Sequence, residues 1–303
     1  MDFNIHLLIP ALCLIPFSLF SQILDSIAIG GSSMDVDVYG NFFVVDASRN
    51  ILTLFSREGK QVRQVGGQGW GSDQFDRPLG VWSRNGLDVF VADYGNHRIQ
   101  RFDRTLSFVS SLFTHEDPIS ERRFGYPTDA ALSRLGSLFI CDSENSRIMK
   151  LSMLNEIEKN FGGYDAGAGR LASPTQIEIG PADHLYVLDR NRVVVFDIFG
   201  NYLGELGSGL FRRPSSLHAD EETVVILDGS LLYVFDAEER PQAAIDLSVL
   251  TGGRVRETEV LAVAFHRNTL YALTASKMYI LSGRDLRDSP DSDGQADKNQ
   301  QQQ

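Results

Sequence analysis

Short runs of alternating apolar residues recur along the chain, and Gly, Asn, Asp or Pro bounds each run. In one unit these runs are residues 79–83, 89–92, 98–102 and 108–113. Alternation with a period of two is typical of β-strands, and the polar residues between the runs suit tight turns. The pattern therefore predicts repeating units of four short strands.

The second strand of each unit ends in two apolar residues followed by aspartate. This phrase ends at Asp46, Asp93, Asp142, Asp189 and Asp228, and a degenerate copy ends at Thr274. Successive copies lie 39 to 49 residues apart. Several short strands repeating at about this period predict the blades of a β-propeller.

A second phrase, an apolar residue three positions before a proline, precedes the first strand of four units. The pairs are Phe75 with Pro78, Phe124 with Pro127, Leu171 with Pro174, and Phe211 with Pro214. Proline fixes φ and lacks an amide donor, so we expect it where a loop enters a strand. We expect the Phe or Leu to fill the gap between blades.

The last unit has only three apolar runs, 261–265, 269–273 and 277–281. A fourth run, 23–29, stands near the other end of the chain. Pairing this run with the last unit would close the ring and cover two sheet edges. The sequence thus predicts an all-β fold, a six-bladed β-propeller over residues 22–284 that is closed by the N-terminal strand.

Two segments differ from the repeats. The apolar stretch 5–20 suits the core of a signal peptide, so residues 1–21 are predicted to be removed and the chain exported to the periplasm or the outside. A stray apolar terminus or a short anchor is the alternative; after cleavage no membrane span is expected. Residues 285–303 are polar and are predicted to be a disordered tail.

Composition restricts the partners. The formal charge is −12, and a nucleic-acid binder usually has a basic excess, so we expect no nucleic acid. Only Cys13 and Cys141 are present, so no internal disulfide forms once residues 1–21 are removed. Cys141 lies in a strand-like run and is interpreted as a small buried hydrophobe. We expect a monomer.

The stretch FDRPLGVWSRNG followed, a few residues on, by VADYGNHRIQRFD, which runs from Val91 to Asp103, resembles the NHL repeat, and weaker copies extend the resemblance over about residues 23–284. Asp93, Asn96 and Arg98 are interpreted as turn and strand-start residues. His97 has no counterpart in the other copies and is placed on an outer loop with a structural role. NHL propellers perform unrelated functions, so the resemblance implies the fold alone.

The innermost strands carry polar residues on one parity, which indicates a water-filled central channel. The predicted channel residues are Asp37, Trp82, Asp129, Gln176, Glu178 and His218. Carboxylate oxygens could hold Ca²⁺, and Asp129, Glu178 and His218 together could instead hold a transition metal. A hydrated channel without any ligand is the simpler alternative. None of the other histidines, including His115 beside Glu116 and Asp117, stands at a metal-motif spacing.

These features favour a binding module for a protein, peptide or carbohydrate, with Arg77, Tyr126, Arg212 and Arg213 on the rim of the channel. The alternative is a metal-dependent hydrolase or lyase similar to the gluconolactonase-like propellers; a likeness to streptogramin lyases is a weaker option. The amidating lyases of similar fold place zinc histidines directly after the proline that precedes the first strand. Those positions are Leu79, Thr128, Thr175 and Ser215 here, which argues against that activity. RNA binding, as in some eukaryotic NHL domains, would need a basic rim.

Overall fold

A computed structural model describes residues 20–250, 253, 260–267 and 269–283. These residues form six antiparallel sheets of four strands each, which are the six blades of the predicted propeller. The innermost strands of blades 1 to 6 are β2 (Ser33–Val36), β6 (Pro78–Trp82), β10 (Pro127–Leu132), β14 (Pro174–Ile179), β18 (Pro214–Ala219) and β22 (Val260–His266).

The second strands are β3 (Phe42–Asp46), β7 (Asp88–Asp93), β11 (Leu138–Asp142), β15 (Leu185–Asp189), β19 (Val224–Asp228) and β23 (Thr269–Thr274). The third strands are β4 (Ile51–Phe55), β8 (Arg98–Asp103), β12 (Arg147–Leu151), β16 (Arg192–Phe196), β20 (Leu231–Phe235) and β24 (Met278–Gly283). The outermost strands are β5 (Gln61–Gly66), β9 (Phe108–Phe113), β13 (Ile157–Phe161), β17 (Tyr202–Leu206), β21 (Pro241–Asp246) and, in blade 6, β1 (Phe20–Ile27).

Helices are negligible among the described residues. One short α-helix, α1 (Leu247–Leu250), follows β21, and four 3₁₀ turns cover Tyr94–Asn96, Ser120–Arg122, Gly167–Gly169 and Pro181–Asp183. No helix in the described part of the chain combines the length and the apolar character that crossing a membrane requires.

The apolar residues before the prolines lie between blades, as predicted. Phe75 and Phe124 are completely buried, and Leu171 and Phe211 are nearly so. Phe124 packs in one cluster with side chains of blades 2, 3 and 4. Burying each such side chain contributes roughly 1.5–3 kcal/mol, so these residues hold adjacent blades together. Cys141 is also fully buried in this cluster, as expected.

The N-terminal strand completes the last blade. β1 pairs antiparallel with β24, from Phe20 opposite Gly283 to Ile27 opposite Met278. The predicted closure is therefore confirmed, although β1 begins at Phe20 and overlaps the end of the predicted signal segment. Residues 1–19 and the predicted tail 285–303 lie outside the described residues, so cleavage and export stay predictions.

The repeated aspartate is a clamp on the turn that follows it. Asp93 accepts hydrogen bonds from the backbone N–H of Asp76 (2.8 Å), from Asn96 Nδ2 (2.9 Å) and from Arg98 Nε (2.7 Å). Arg98 also donates to backbone carbonyls of the preceding loop. Asp142 repeats the pattern with Asn145 and Arg147. The turn interpretation of Asp93, Asn96 and Arg98 is thus confirmed.

Antiparallel order places successive connections on alternate faces of the ring. We call the face with the turns between first and second strands the lower face. The upper face carries the loops that lead into the first strands and the turns between second and third strands.

Candidate ligand-binding site

Polar side chains of the innermost strands bond to the backbone of the next blade. In each case a side-chain oxygen accepts a backbone N–H across the gap: Asp35 from Ser83 (2.6 Å), Asp129 from Ile177 (3.0 Å), Gln176 from Leu217 (2.8 Å) and Ser216 from Val263 (3.1 Å). The polar parity therefore ties neighbouring blades together. Asp129 is 7% exposed and Gln176 is half-buried, and the expectation that these side chains face a water-filled channel stays a prediction.

Blade 2 has glycine at the corresponding position, and the next blade explains why. A Cβ at Gly80 would collide with Asp129 Oδ1 and with the backbone of blade 3. The missing side chain leaves room for the Asp129 carboxyl, which is 7% exposed.

Arg84, in the turn after β6, closes the axis of the ring. Its guanidinium forms an ion pair with Glu178 (Nη2 to Oε2, 2.6 Å) and lies 3.7 Å from Asp35 Oδ1. It also donates to the backbone carbonyls of Ile179 and Ala219. We call Asp35, Arg84, Asp129, Glu178 and His218 the axial cluster. The positive charge of this cluster is the Arg84 guanidinium, which was not among the channel residues predicted from the sequence.

His218 has partners at both ring nitrogens. Nε2 lies 2.9 Å from the carbonyl oxygen of Phe265, which can only accept, so Nε2 carries the proton. Nδ1 lies 3.2 Å from Arg84 Nη2 and accepts from it. Burial lowers the pKa of His218 well below its usual value, with Arg84 acting in the same direction, so the ring is neutral.

A metal at Asp129, Glu178 and His218 would have to displace these bonds, because no ring lone pair of His218 is left. That site stays a prediction, and the geometry does not favour it.

The buried carboxyls are hard to ionise. Burial raises the pKa of Asp129 to about 7, with backbone hydrogen bonds from Ile177 and Ala130 opposing the rise. Burial also raises the pKa of Glu178 well above its usual value, and Arg84 opposes that rise. Burial thus disfavours the charged forms, whereas Arg84, which pairs with Glu178 at 2.6 Å and lies 3.7 Å from Asp35, favours the ionised forms of these two carboxyls.

A funnel opens on the lower face below Arg84, with a cavity volume of about 910 Å³. Its floor is made by Trp82, Arg84, His218 and Phe265, and its walls by Val36, Val38, Leu132 and Ile179. Its mouth carries Leu135, Met153 and the charged residues Arg134, Asp183, Asp220, Glu221, Glu222 and Arg267. We call this cavity the lower funnel.

The predicted channel residues separate into two groups. Asp37 and Trp82 line the lower funnel with His218. The Asp37 carboxylate is engaged in its own turn, where it accepts from the N–H groups of Tyr39 (2.9 Å) and Asn41 (2.8 Å). Asp129, Gln176 and Glu178 are not among the residues that line the funnel. Glu178 is paired with Arg84, which does line it.

The predicted rim residues lie at the other mouth of the ring. Arg77, Tyr126, Arg212 and Arg213 are exposed on loops of the upper face. The Arg77 guanidinium lies 4.1 Å from the ring centre of Tyr94. The backbone N–H groups of Arg212 and Arg213 are held by Asp228, each at 2.7 Å. The structure thus does not bring the predicted rim and the predicted channel floor into one site.

Comparison with known proteins agrees with this architecture. The family model of the NHL repeat matches residues 75–102. A curated relative, the probable peptidyl-alpha-hydroxyglycine alpha-amidating lyase pgal-1 of Caenorhabditis elegans, is 32% identical over 102 residues, which are 33% of this chain and 28% of the relative. The match therefore spans less than a third of that relative's length.

Solved structures extend the likeness over most of the chain. A streptogramin B lyase structure has a TM-score of 0.58 at 14% identity and covers 83% of this chain and 78% of that chain. Virginiamycin B lyase from Staphylococcus aureus has a TM-score of 0.60 at 11% identity and covers 85% of this chain and 98% of that chain. Such low identity shows the fold alone. This chain is a six-bladed β-propeller that carries an NHL repeat.

Proposed function

We propose that the chain is a binding module, and that its lower funnel takes a peptide or protein segment with an apolar side chain next to positive charge. The observation that carries this proposal is the funnel itself: an open, largely apolar cavity in whose floor both ring nitrogens of His218 and both terminal nitrogens of Arg84 already have partners. A volume of about 910 Å³ is at the upper end of the usual size for ligand pockets.

The mouth of the funnel favours apolar and cationic ligands. Leu135 and Met153 are 76% and 75% exposed, and exposed apolar side chains clustered at a cavity are typical of interaction surfaces. Arg134 is paired with Glu221 at 2.6 Å. The mouth has four acidic residues, Asp183, Asp220, Glu221 and Glu222, against two basic ones, Arg134 and Arg267. This imbalance attracts positive charge.

At His218, Asp37 and Arg84 the contacts favour recognition over acid–base chemistry; His266 also lines the funnel. A general base needs a lone pair within reach of the proton that it removes. Both nitrogens of His218 are occupied, and the Asp37 carboxylate holds its own turn. The Arg84 guanidinium contacts carboxylates, carbonyls and an imidazole. None of these groups is arranged to accept a proton from a bound ligand.

Fluorescence anisotropy with labelled decapeptides tests the proposal. One peptide set carries Leu or Phe flanked by Lys; matched sets replace Lys by Glu, or Leu and Phe by Ser. We expect saturable binding of the first set only, and the double variant Leu135→Ser with Met153→Ser to weaken it by about tenfold or more. Leu203→Ser is the control, since Leu203 is an exposed apolar residue on β17, outside the funnel.

Two results would contradict the proposal. One is the absence of saturable binding by the Leu–Lys set. The other is binding that survives unchanged in the Leu135→Ser, Met153→Ser variant.

A lyase is the second candidate, because of the 32% identity to the amidating lyase over 102 residues. The chain has Leu79, Thr128, Thr175 and Ser215 where the resemblance to amidating lyases would require histidines. Incubation with a peptidyl-α-hydroxyglycine, followed by mass spectrometry for the peptide amide, separates the two candidates. Turnover would favour the lyase, and its absence together with peptide binding would favour the binding module.

A further inference from the structure

We propose that His97, His115 and Glu144 form a binding site for a divalent transition-metal ion on the upper face. The potential ligand atoms of these three side chains all lie within 4.8 Å of one another. The site is on the opposite face from the lower funnel and does not depend on the proposed function.

Three separate connections supply the ligands. His97 ends the turn between β7 and β8, His115 follows β9, and Glu144 lies in the turn between β11 and β12. The first two belong to blade 2 and its exit loop, and the third to blade 3. The packing of one blade against the next therefore assembles the site.

The turn at His97 does not need an imidazole. His97 has φ of 51°, and the same turn position in blades 1 and 3 is held by Asn50 at 56° and Ser146 at 50°. Small polar residues adopt this left-handed conformation with little strain. The histidine ring is thus available for a role other than shaping the backbone.

Gly125 lets the two blades approach at this point. A Cβ on Gly125 would collide with Glu144 Oε2 and would lie 3.2 Å from His97 Nδ1. A glycine here therefore leaves space for a carboxylate and an imidazole over bare backbone. A larger residue would displace the Glu144 carboxylate and would require His97 to shift by a few tenths of an ångström.

Neighbouring rings orient the imidazoles. The His97 ring centre lies 4.0 Å from that of Tyr126 and 5.3 Å from that of His115. His97 Nδ1 accepts a long hydrogen bond from the Tyr126 N–H at 3.3 Å. Coordination through Nδ1 would replace that weak bond directly. Coordination through Nε2 would place the ring proton on Nδ1, which could then no longer accept from the Tyr126 N–H. A metal would therefore compete with this weak bond.

Two imidazoles and one carboxylate select the kind of ion. Calcium and magnesium prefer sites made of oxygen ligands, whereas zinc and its neighbours bind nitrogen well. The same donor set is found in zinc sites that keep an open fourth position. His115 and Glu144 are exposed, so their side chains can rotate to bonding distance and the ion would retain a position for water or for a ligand oxygen.

Isothermal titration of the full chain, first stripped with a chelator, with ZnCl₂ tests the site. We expect one ion per chain, and an affinity at least about tenfold lower in each of the variants His97→Asn, His115→Asn and Glu144→Gln. Glu116→Gln is the matched control beside His115. His184→Asn is a second control, because His184 pairs with Glu239 at 3.0 Å on other loops.

A second measurement does not depend on variants. Zinc should shift the ring-nitrogen NMR signals of two histidines in the parent, and these should be the signals that disappear in His97→Asn and His115→Asn. The proposal is overturned if zinc shows no saturable binding below about 100 µM, or if binding is unchanged in His115→Asn and Glu144→Gln.

Discussion

Two arginines occupy the same turn position in neighbouring blades, but one side chain is largely buried and the other is exposed. Each is the second residue of a Ser-Arg-x-Gly turn after an innermost strand, Ser83 to Gly86 in blade 2 and Ser133 to Gly136 in blade 3. The Arg84 side chain is 18% exposed and points to the ring axis. The Arg134 side chain is 62% exposed and pairs with Glu221 at the mouth of the funnel.

The difference shows that the surrounding blades, and not the turn, decide where the side chain goes. Arg84 is within reach of the carboxyls of Asp35 and Glu178, which come from blades 1 and 4. Arg134 finds Asp183 and Glu221 on exposed turns. A buried guanidinium with several carboxylate partners is structural, whereas an exposed one contributes little to stability.

The largest expected effect is that of removing Arg84. Arg84→Met leaves buried carboxyls and carbonyls without their donor, and we expect it to lower the free energy of unfolding by about 3–5 kcal/mol. Arg134→Met breaks an exposed ion pair and should cost less than about 1 kcal/mol. Urea denaturation of the parent and both variants measures the difference. Equal losses would mean that the two turns are equivalent after all.

The second expected effect is a pH dependence of the unfolding free energy that comes from Asp129 in the axial cluster. The folded-state pKa of Asp129 is raised to about 7 from an ordinary value of 3.8. The folded chain thus holds a proton that the unfolded chain releases, so this group's stabilising contribution is complete below about pH 4 and is lost as the pH rises to about 7. Asp129→Asn should lack that loss, because an asparagine side chain does not titrate. Its amide oxygen can still accept from the Ile177 N–H.

The difference in unfolding free energy between Asp129→Asn and the parent should therefore shift in favour of the variant as pH rises. The upper limit is about 1.4 kcal/mol per pH unit. Urea titrations at intervals from pH 4 to 8 measure it, with Asp73→Asn as an exposed control for the same change of residue type. A difference that is flat with pH would show that Asp129 is ionised in the folded state.

The smallest expected effects on stability distinguish two side chains of one turn, Asn96, which is structural, and His97, which is proposed to bind a metal. Asn96 is 1% exposed and donates to Asp93 at 2.9 Å and to the carbonyl of Gly69 at 2.8 Å. Asn96→Ala should cost about 1–2 kcal/mol. His97→Asn should stay within about 0.5 kcal/mol of the parent, since Asn50 holds the equivalent position. Thermal and urea unfolding compare the two; a large loss in His97→Asn would make the imidazole structural.

The features that depend on local pattern could be predicted from the sequence. Strand alternation, the repeated aspartate and the buried Phe75 and Phe124 follow from rules that act within about five residues. Closure by β1 followed from counting strands, because the last unit lacked one.

The positions of the site residues depend on contacts between blades, which the local sequence pattern does not show. Asp129 and Gln176 alternate with apolar residues, which is also the pattern of side chains that face water. A single strand does not reveal that these side chains accept backbone N–H groups of the next blade. Arg84 and Arg134 share one local motif, so nothing nearby separates the buried from the exposed side chain. His97, His115 and Glu144 have no metal-motif spacing, because blade packing alone brings them together.

The pairing of Phe20 with Gly283 has a consequence for how the chain can be connected. The two described ends of the ring lie side by side on one blade, so a short linker can join them without moving a strand. The chain can then be opened in another connection, such as the one between β13 and β14, with the same six sheets retained. Circular permutation of this kind is tolerated where chain ends are adjacent. In this molecule it would allow the chain to begin at a different blade.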